Sequence, residues 1–517
     1  MAEGKVYLVG AGPGDPGLLT VRGRECLLRA DEVVYDGLVN PLLLRLTKAH
    51  ATRTSRVDGP TGRRLDQEEI NTLLIALARE GKCVVRLKGG DPYIFGRGAE
   101  EAEALLKAGI EFEVVPGVTA ATAVTAYAGI SLTHREDASA VAYVTGHEDP
   151  TKPHSALDYE TLARFPGTLV FYMGLHRLPE ITAALISAGL SPSTPAAVIS
   201  RGATSRQRTV TASLESLPEK VTAARLRPPS LIVIGSCVMR HERLAWFEAK
   251  PLLGQRIGIT RPDAQSEPQI ARAIELGAEP VLMPTIRIEP MQDWTTVDKT
   301  LDRLTDYDWL VFTSVNGVRS VLDRLWQTGR DARSLATIKL AGIGPSTAEA
   351  LNEYQLRADV VPDEYRAEAL AEVLRDHVAG KRVLWARASR GRDILPRELR
   401  AAGAVVDELI VYRNEDVESL PPSVVDALRA GDINWIGLSS PSIARQFAQL
   451  LPADARGQLG KSTKLVAISP VTQAAAEEAG LPVSSTAATF TWDGIFDAIL
   501  AADASDGSAK ASTSHGH

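Results

Sequence analysis

The second half of the sequence contains an internal duplication, which restricts the folds it can adopt. "GQRIGITRP" at Gly254 is matched 126 residues later by "GKRVLWARA" at Gly380. "WLVFTSVNG", beginning at residue 309, is matched at the same spacing by "WIGLSSPSI". "KLAGIGPSTAEAL" at Lys339 is matched by "KLVAISPVTQAAA" at Lys464, 125 residues later. The period is too long for a solenoid repeat, so it predicts two similar α/β lobes, with a cleft between them as a common ligand position.

Residues 1–245 alternate short strands rich in Val and Ile with amphipathic helices, a pattern typical of α/β layers. Each predicted strand ends in glycine or a polar residue, so ligands are expected at the carboxyl ends of the strands. The connector "FEAKPLLGQ" leads into the duplicated half. The tail, 501–517, is low in complexity and is predicted to be disordered.

Composition excludes several classes of protein. The length of 517 residues suggests three or four domains, and a net charge of −7 argues against binding to nucleic acid or to an anionic membrane. The three cysteines are far apart, which makes a disulfide framework or a zinc site unexpected. No apolar run reaches the ~18 residues of a membrane span. We therefore expect a cytoplasmic protein with no metal, no membrane partner and no nucleic-acid partner.

The first strand leads into a glycine-rich turn, "VYLVGAGPGDPGLLT" at 6–20, with glycines at positions 10, 12 and 14. The spacing is close to the dinucleotide fingerprint G-x-G-x-x-G, but Asp15 stands where the last glycine belongs. A proline and an aspartate thus occupy the turn that a pyrophosphate would have to approach.

Three further stretches accompany this turn: "RLKGGDPYIFGRGAEEAEAL" at 86–105, "VVPGVTAATAVTAYAGISLTHR" at 114–135 and "SRGATSRQRTVTASL" at 200–214. In this order the set resembles the tetrapyrrole methylase family, and within it the uroporphyrinogen-III C-methyltransferases. The resemblance implies an α/β, two-part methylase fold over 1–248 that acts as a homodimer. It also implies transfer of two methyl groups from S-adenosyl-L-methionine to uroporphyrinogen III, giving precorrin-2 for siroheme or cobalamin.

The resemblance also assigns the residues that contact the methyl donor. They are Pro13, Gly89, Gly90, Asp91, Ile94, Thr119, Ala120, Met173 and Gly202. The donor is a cation without phosphates, so it needs close backbone approach and an acceptor for its ammonium group, which Asp91 can supply. The residues alone leave other interpretations open: a plain Gly-Gly-Asp-Pro turn, a helix cap at Thr119, and core packing by Ile94 and Met173.

Methyl transfer requires aligned reactants and a base for the pyrrole N–H proton. Asp36, at the end of "DEVVYD", matches the proton acceptor proposed in the family, and the alternative is helix or turn capping. The family's proposed donor lysine falls near Asp58, where the sequence reads "SRVDGPTGRR". Arg56, Arg63 and Arg64 are nearby, but the pKa of arginine is too high for a good acid, so no donor is assigned.

The tetrapyrrole substrate carries several carboxylates, and arginines can bind them through bidentate pairs. Arg97, Arg135 and Arg201 are the candidates in this half. Exposed arginines are as often solvated or paired on the surface, and that alternative stays open.

The duplicated half resembles uroporphyrinogen-III synthase over about 254–500. The likeness rests on "VFTSVNGV", "AGIGPSTAEAL", "GKRVLWARASRGRDILPRELRAAGAVVDELIVYR" and "ISPVTQAAAEEAGL". It implies a two-lobed α/β fold over 249–500, in which 254–290 joins 412–500 as lobe A and 291–411 forms lobe B. The implied reaction is cyclisation of hydroxymethylbilane with loss of water and inversion of the last pyrrole ring, without cofactor or metal.

In this half Tyr412 matches the tyrosine suggested to assist departure of the hydroxyl group; packing is the alternative. Arg261 and Arg387 occupy equivalent places in the repeat and are candidate carboxylate partners. Hydroxyl residues that follow strands are further candidates for binding substrate, with helix capping as their other role. They are Ser314, Ser346, Thr347, Ser439, Ser440 and Thr472.

These observations favour a bifunctional enzyme that forms uroporphyrinogen III and then methylates it. One alternative makes the second half a tetrapyrrole-binding regulatory module without turnover, because two-lobed clefts serve binding as well as catalysis. Another keeps the methylase fold but gives it a different methyl acceptor, such as a later corrinoid or a protein residue.

Overall fold

A computed structural model of the chain describes residues 4–54, 65–146, 157–391 and 393–513. Contacts divide the chain into two compact units. Unit 1 is Met1–Gln255 with Arg272–Glu279, and unit 2 is Arg256–Ala271 with Pro280–His517. Within the described residues, no helix is both long and apolar enough to cross a membrane.

Unit 1 begins with a parallel five-stranded sheet. Its strands are β1 (Lys5–Gly10), β2 (Glu32–Tyr35), β3 (His50–Arg53), β4 (Cys83–Lys88) and β5 (Glu111–Val115). The associated helices are α1 (Val21–Arg29), α2 (Gln67–Arg79) and α3 (Gly98–Lys107). The strand order is β3-β2-β4-β1-β5. Leu8 of β1 and Val84 of β4 are fully buried, which explains the nearly continuous apolar runs of these strands.

The second part of unit 1 is a mixed sheet of the order β6-β7-β10-β8-β9. Its strands are β6 (Val141–Thr145), β7 (Thr168–Tyr172), β8 (Pro195–Ser200), β9 (Arg208–Ser213) and β10 (Ser230–Ile234). The helices are α4 (Ala120–Tyr127), α5 (Tyr159–Ala163), α6 (Leu178–Ser187), α7 (Leu217–Ala223) and α8 (His241–Leu244). Ala121 and Val124 of α4 pack in one core with Val170 and Ala197 of this sheet. Helix α4 therefore connects the two sheets of unit 1.

Unit 2, taken together with the segment Arg272–Glu279, contains two more sheets of five strands each. The strands are β11 (Arg256–Ile259), β12 (Glu279–Leu282), β13 (Ile286–Pro290), β14 (Trp309–Phe312), β15 (Lys339–Gly342), β16 (Arg382–Ala388), β17 (Val405–Asp416), β18 (Trp435–Leu438), β19 (Lys464–Ala467) and β20 (Val483–Thr486). The helices are α9 (Glu267–Glu275), α10 (Thr295–Leu301), α11 (Val315–Gln327), α12 (Pro345–Glu353), α13 (Ala367–Leu374), α14 (Ile394–Ala401), α15 (Pro422–Arg429), α16 (Pro441–Leu450), α17 (Pro470–Glu478) and α18 (Trp492–Thr513).

The two sheets of unit 2 exchange chain segments. One sheet has the order β12-β11-β18-β19-β20 and so combines the first strands of the unit with its last ones. The other has the order β13-β17-β16-β14-β15. The predicted lobe boundaries at 290 and 412 are wrong by a few residues. Ile286–Pro290 pairs antiparallel with the end of β17, from Tyr412 to Asp416, and this pairing places both segments in lobe B.

The predicted disordered tail is wrong for residues 501–513, which continue α18. Trp492, Ile495 and Phe496 are buried and anchor the first turns of this helix, and five alanines, the best helix formers, lie within 501–513. The last four residues lie outside the described part of the chain.

Candidate functional sites

Three loops of unit 1 meet backbone to backbone at the carboxyl ends of β1, β4 and β5. The Gly12 amide donates to the Gly90 carbonyl at 3.2 Å, and the Gly90 amide donates to Gly12 at 2.8 Å. A Cβ atom added to Gly10 would lie 2.5 Å from Cα of Gly117. No side chain fits between these loops, so they contact one another through main chain alone.

The carboxylate of Asp91 ties two of these loops together. Its Oδ1 accepts from the amides of Tyr93 at 2.8 Å and Ile94 at 3.2 Å, and its Oδ2 accepts from Gly117 at 3.0 Å. A carboxylate offers about four lone-pair positions, so Asp91 can still accept one further donor. The structure thus gives Asp91 a structural role that the sequence did not indicate.

Tyr172, which the sequence analysis missed, connects the second sheet to the start of α4. Its hydroxyl lies 2.6 Å from Thr119 Oγ1 and accepts from the Ala121 amide at 2.8 Å. Thr119 is the N-cap residue of α4, but its side chain makes no capping bond. The Thr119 hydroxyl therefore forms a hydrogen bond with Tyr172 instead of capping the helix. The one sequence signal for Tyr172 was its place before Met173 in "FYMG".

The remaining predicted contacts lie on loops that touch this region. Gly202 packs so closely on α4 that an added Cβ would lie 2.2 Å from Val124 Cγ1. A Cβ on Gly14, next to Pro13, would lie 2.9 Å from the Ala203 carbonyl. The Ala120 amide is 3.7 Å from the Cβ position of Gly90. Together with the contacts of Asp91 and Tyr172, these approaches bring the loops of all nine predicted residues into one contiguous region.

Backbone strain is concentrated in the same loops. Seven non-glycine residues of the described chain have positive φ, and five of them are Phe95 (54°), Arg97 (60°), Met173 (57°), Arg201 (50°) and Ala203 (55°). Residues with a Cβ rarely adopt this conformation, and such strain clusters at ligand sites.

Asp36 lies at the end of a buried cluster of charges. Arg86 donates to Asp36 Oδ1 at 2.6 Å and, through Nε, to Glu101 at 3.0 Å. Lys88 donates to the same Glu101 oxygen at 2.9 Å. Arg86, Lys88 and Glu101 are at most 2% exposed. The signal in the sequence was "RLK", two charged residues inside an otherwise apolar strand.

The cluster sets the protonation state of Asp36. Burial raises the pKa of Asp36, but the charges of Arg86 and Lys88 and the hydrogen bonds from Arg86 and Thr54 lower it more, so the pKa lies below its usual value. Burial and the neighbouring Arg86 lower the pKa of Lys88. Asp36 is therefore ionised near neutral pH, and its side chain binds Arg86 and Thr54.

The arginine candidates of unit 1 differ in their surroundings. Arg97 pairs with Glu100 at 2.7 Å at the surface. Arg135 is exposed and Arg201 is half-buried. The candidates near the expected proton donor, Arg56, Asp58, Arg63 and Arg64, lie outside the described residues.

In unit 2 a cleft of about 300 Å³ is lined by residues of both lobes. Lobe A contributes Arg261, Gln265, Ser439, Ser440 and Ser442, and lobe B contributes Asn316, Tyr412 and Asn414. Trp492 also lines the cleft. Of these, Gln265, Asn316, Asn414, Ser442 and Trp492 were not among the predicted residues. These residues lie far apart along the chain, so the sequence alone does not show that they line one cleft.

Tyr412 is 7% exposed, and its hydroxyl lies 2.9 Å from Ser314 Oγ. Ser314 in turn accepts from the Gly317 amide at 3.0 Å and so caps α11. Burial raises the pKa of Tyr412 more than the hydrogen bonds with Ser314 and Asn316 lower it. The phenol is therefore neutral and can donate a proton.

Arg261 and Arg387 have different environments despite their equivalent places in the repeat. Arg261 lines the cleft, donates to Gln265 Oε1 at 3.1 Å and forms no ion pair with any described carboxylate. Burial lowers its pKa. Arg387 pairs with Glu408 at 2.5 Å and with Asp393 at 3.3 Å. The described cleft does not include Arg387, so the prediction that it binds substrate is not supported.

Of the hydroxyl residues predicted to bind substrate, some line the cleft and others do not. Ser440 lines the cleft and also caps α16 by accepting from Ile443 at 3.2 Å. Thr347 and Thr472 are 3% and 1% exposed, respectively, because each packs inward from the first turn of its helix. Both are too buried to present a hydroxyl to a ligand, contrary to the prediction. Ser346 is exposed but is not among the residues that line the cleft.

Neither unit shows a metal centre, since the described residues contain no group of three or more His, Cys, Asp or Glu placed to hold an ion.

Comparison with known proteins accounts for both halves. Residues 5–218 match the family of tetrapyrrole (corrin/porphyrin) methylases, and residues 269–497 match uroporphyrinogen-III synthase HemD. The porphyrin biosynthesis protein HemD of Ruminiclostridium josui is 36% identical over 86% of this chain and 89% of its own length.

Two methyltransferases are also similar. The uroporphyrinogen-III C-methyltransferase of Bacillus subtilis is 40% identical over 70% of this chain and 73% of its own. The S-adenosyl-L-methionine-dependent uroporphyrinogen III methyltransferase of Methanosarcina barkeri is 48% identical over 47% of this chain and 94% of its own. The chain therefore belongs to the family of proteins that join a tetrapyrrole methylase to a uroporphyrinogen-III synthase.

Proposed function

We propose that this protein is a bifunctional enzyme of tetrapyrrole biosynthesis. Unit 2 closes hydroxymethylbilane to uroporphyrinogen III, and unit 1 transfers two methyl groups to that product from S-adenosyl-L-methionine, giving precorrin-2. The main support is the sequence identity of 36%, over 86% of this chain, to a porphyrin biosynthesis protein.

The residues of unit 1 fit the methyl donor. The loops after β1, β4 and β5 present main chain where a Cβ on Gly10 or Gly117 would clash, and this suits a cofactor that needs close backbone approach and no phosphate site. When bound, the cofactor supplies an electrophilic methyl group. Pro13, Gly89, Gly90, Asp91, Ile94, Thr119, Ala120, Met173 and Gly202 hold it, and Asp91 accepts from its ammonium group.

Asp36 takes the pyrrole N–H proton as the new carbon–carbon bond forms. Its Oδ1 already accepts from Arg86 and Thr54, so we assign the proton to Oδ2. Arg97, Arg135 and Arg201 receive carboxylates of the macrocycle. Since Arg97 is paired with Glu100, substrate binding there requires exchange of one carboxylate for another.

In unit 2 the neutral phenol of Tyr412 donates its proton to the departing hydroxyl group, and Ser314 fixes the direction of that phenol. Arg261 pairs with a substrate carboxylate, because it is a half-buried cation whose neighbouring partner is the neutral amide of Gln265. The hydroxyls of Ser439 and Ser440 and the amides at the start of α16 bind a second carboxylate.

We expect a cytoplasmic homodimer that associates through unit 1 and needs no metal. The net charge of −7 argues against nucleic acid as a partner, and local arginines such as Arg261 supply the positive charge for the carboxylates of a tetrapyrrole.

Two assays separate this proposal from its alternatives. Given hydroxymethylbilane alone, the protein should yield the type III isomer, whereas a regulatory module would leave only the type I isomer that forms by closure without inversion. Given uroporphyrinogen III and methyl donor, it should add two methyl groups. No methylation of this macrocycle would indicate a different acceptor.

A further inference from the structure

The duplication of unit 2 extends to one exposed aromatic residue in each lobe. Tyr365 follows Pro345, the first residue of α12, by 20 residues, and Phe490 follows Pro470, the first residue of α17, by the same number. The two aromatics are thus 125 residues apart, which is the offset of the repeat in this region. Tyr365 is 65% exposed and Phe490 is 64% exposed.

Packing does not explain this equivalence. The neighbouring core positions are also matched, with Leu370 and Leu374 of α13 corresponding to Ile495 and Ile499 of α18, and all four are fully buried. Those positions retain apolar residues because they fill the cores of their lobes. A single exposed aromatic residue is common on protein surfaces, but an aromatic residue that recurs at the equivalent exposed position of both lobes gains nothing from either core, and this recurrence points to an interaction with a ligand.

Both aromatics lie at the carboxyl-end edge of their sheets, outside the residues that line the cleft itself. The Tyr365 ring covers Gly344, whose Cβ position is 3.1 Å from the tyrosine Cγ, and Gly344 comes two residues after β15. Phe490 comes four residues after β20. The cleft residues Asn316 and Ser439 likewise follow the carboxyl ends of β14 and β18. Because β14 and β15 run parallel, as do β18, β19 and β20, each aromatic shares the edge of its lobe with cleft residues.

We propose that Tyr365 and Phe490 are substrate-binding residues, each of which stacks on a pyrrole ring of the linear tetrapyrrole at its own lobe. This inference rests on the proposed synthase activity and adds two residues that hold the substrate. Pyrroles are flat and electron-rich, and aromatic faces bind them in offset or edge-to-face arrangements. A linear chain must bring its two ends together before it closes. One stacking residue on each lobe holds two rings on opposite sides of the cleft, while Arg261 holds a carboxylate.

The test uses the full-length protein with Tyr365→Ser, Phe490→Ser and the double variant. Trp326→Ser is the matched control, because Trp326 is 75% exposed near the end of α11, which runs back from the carboxyl end of β14. KM for hydroxymethylbilane and the ratio of type III to type I product are measured. Methyl transfer to added uroporphyrinogen III in the same samples serves as the internal control.

Each single variant should raise KM roughly three- to tenfold, and the double variant by about the product of the two, with a larger share of type I isomer. Tyr365→Phe should keep the KM of the unmodified protein, and Trp326→Ser should change neither value. An unchanged KM in the double variant, or an equal rise in the Trp326 control, would overturn the inference. A lack of synthase activity in the unmodified protein would instead overturn the proposed function, and the inference with it.

Discussion

The Arg86 guanidinium donates a hydrogen bond of 2.6 Å to the Asp36 carboxylate. The Arg86 residue is only 2% exposed. Arginine keeps its charge under all ordinary conditions, so this contact holds Asp36 in its ionised form. Glu101 and Lys88 complete the cluster, in which two positive charges meet two negative ones. A buried cation with two carboxylate partners fixes the position of Asp36 as well as its charge.

Replacing Arg86 should change the pH profile of methyl transfer. Arg86→Gln removes the charge that lowers the pKa of Asp36 and leaves the burial that raises it. The acid limb of kcat/KM should therefore move to higher pH, whereas Arg86→Lys should move it less. The depressed pKa also stabilises the fold above the pKa of Asp36 in the unfolded chain, and this stability is lost as pH falls through the folded value. An acid limb that stays in place in Arg86→Gln would contradict the role given to this pair.

Asp91 should be needed to bind the cofactor because it holds two loops in place. Asp91→Ala removes three hydrogen bonds from backbone amides, worth about 1 kcal/mol each. Calorimetry with S-adenosylhomocysteine should show Kd rising roughly tenfold or more. Asp158→Ala is the control, since Asp158 caps α5 through Thr161. Equal Kd values for the two variants would show that the Asp91 bonds do not shape the site.

The loops of unit 1 could be predicted because glycine and proline mark them in the sequence, and their order resembled a known family. The charge cluster was not predicted, because Arg86, Lys88 and Glu101 are residue types normally found in water, and "RLK" in β4 does not show which carboxylates pair with it. These three residues are buried because β4 packs near α3, where Arg86 and Lys88 pair with Glu101. Tyr172 was missed for a related reason, because nothing local shows that the end of β7 reaches Thr119.

The repeat in unit 2 predicted two lobes but not the differences between them. Arg261 and Arg387 are equivalent in sequence, but Arg387 alone forms an ion pair with Glu408 on β17. The boundary between lobes was misplaced because Ile286–Pro290 completes the sheet of lobe B as an antiparallel edge strand, which strand periodicity alone does not reveal.

Arg261 and Arg387 should respond differently to the same substitution. Arg261→Gln removes a cation from the cleft and should raise KM for hydroxymethylbilane roughly tenfold to hundredfold, as expected for a lost charged hydrogen bond. Arg387→Gln should leave KM unchanged, because its partners are Glu408 and Asp393. Steady-state kinetics on both variants decides the matter, and a similar rise in KM for each would refute the assignment.

Tyr412→Phe should lower kcat for cyclisation by about a hundredfold, within the range of general acid catalysis, with little change in KM. Burial raises the pKa of Tyr412, so the unmodified enzyme should keep its activity on the alkaline side up to at least the ordinary tyrosine value of about 10. The pH profile of kcat checks this point. An alkaline limb well below that value, or a Phe variant of normal kcat, would exclude Tyr412 as the proton donor.

The most direct test gives the full-length protein hydroxymethylbilane together with S-adenosyl-L-methionine and identifies the product by mass and absorbance. We expect precorrin-2, a type III macrocycle with two added methyl groups, and we expect Asp36→Asn to stop at unmethylated uroporphyrinogen III. A product that consists only of the type I isomer, or a type III macrocycle that never gains a methyl group from the unmodified protein, would contradict the account.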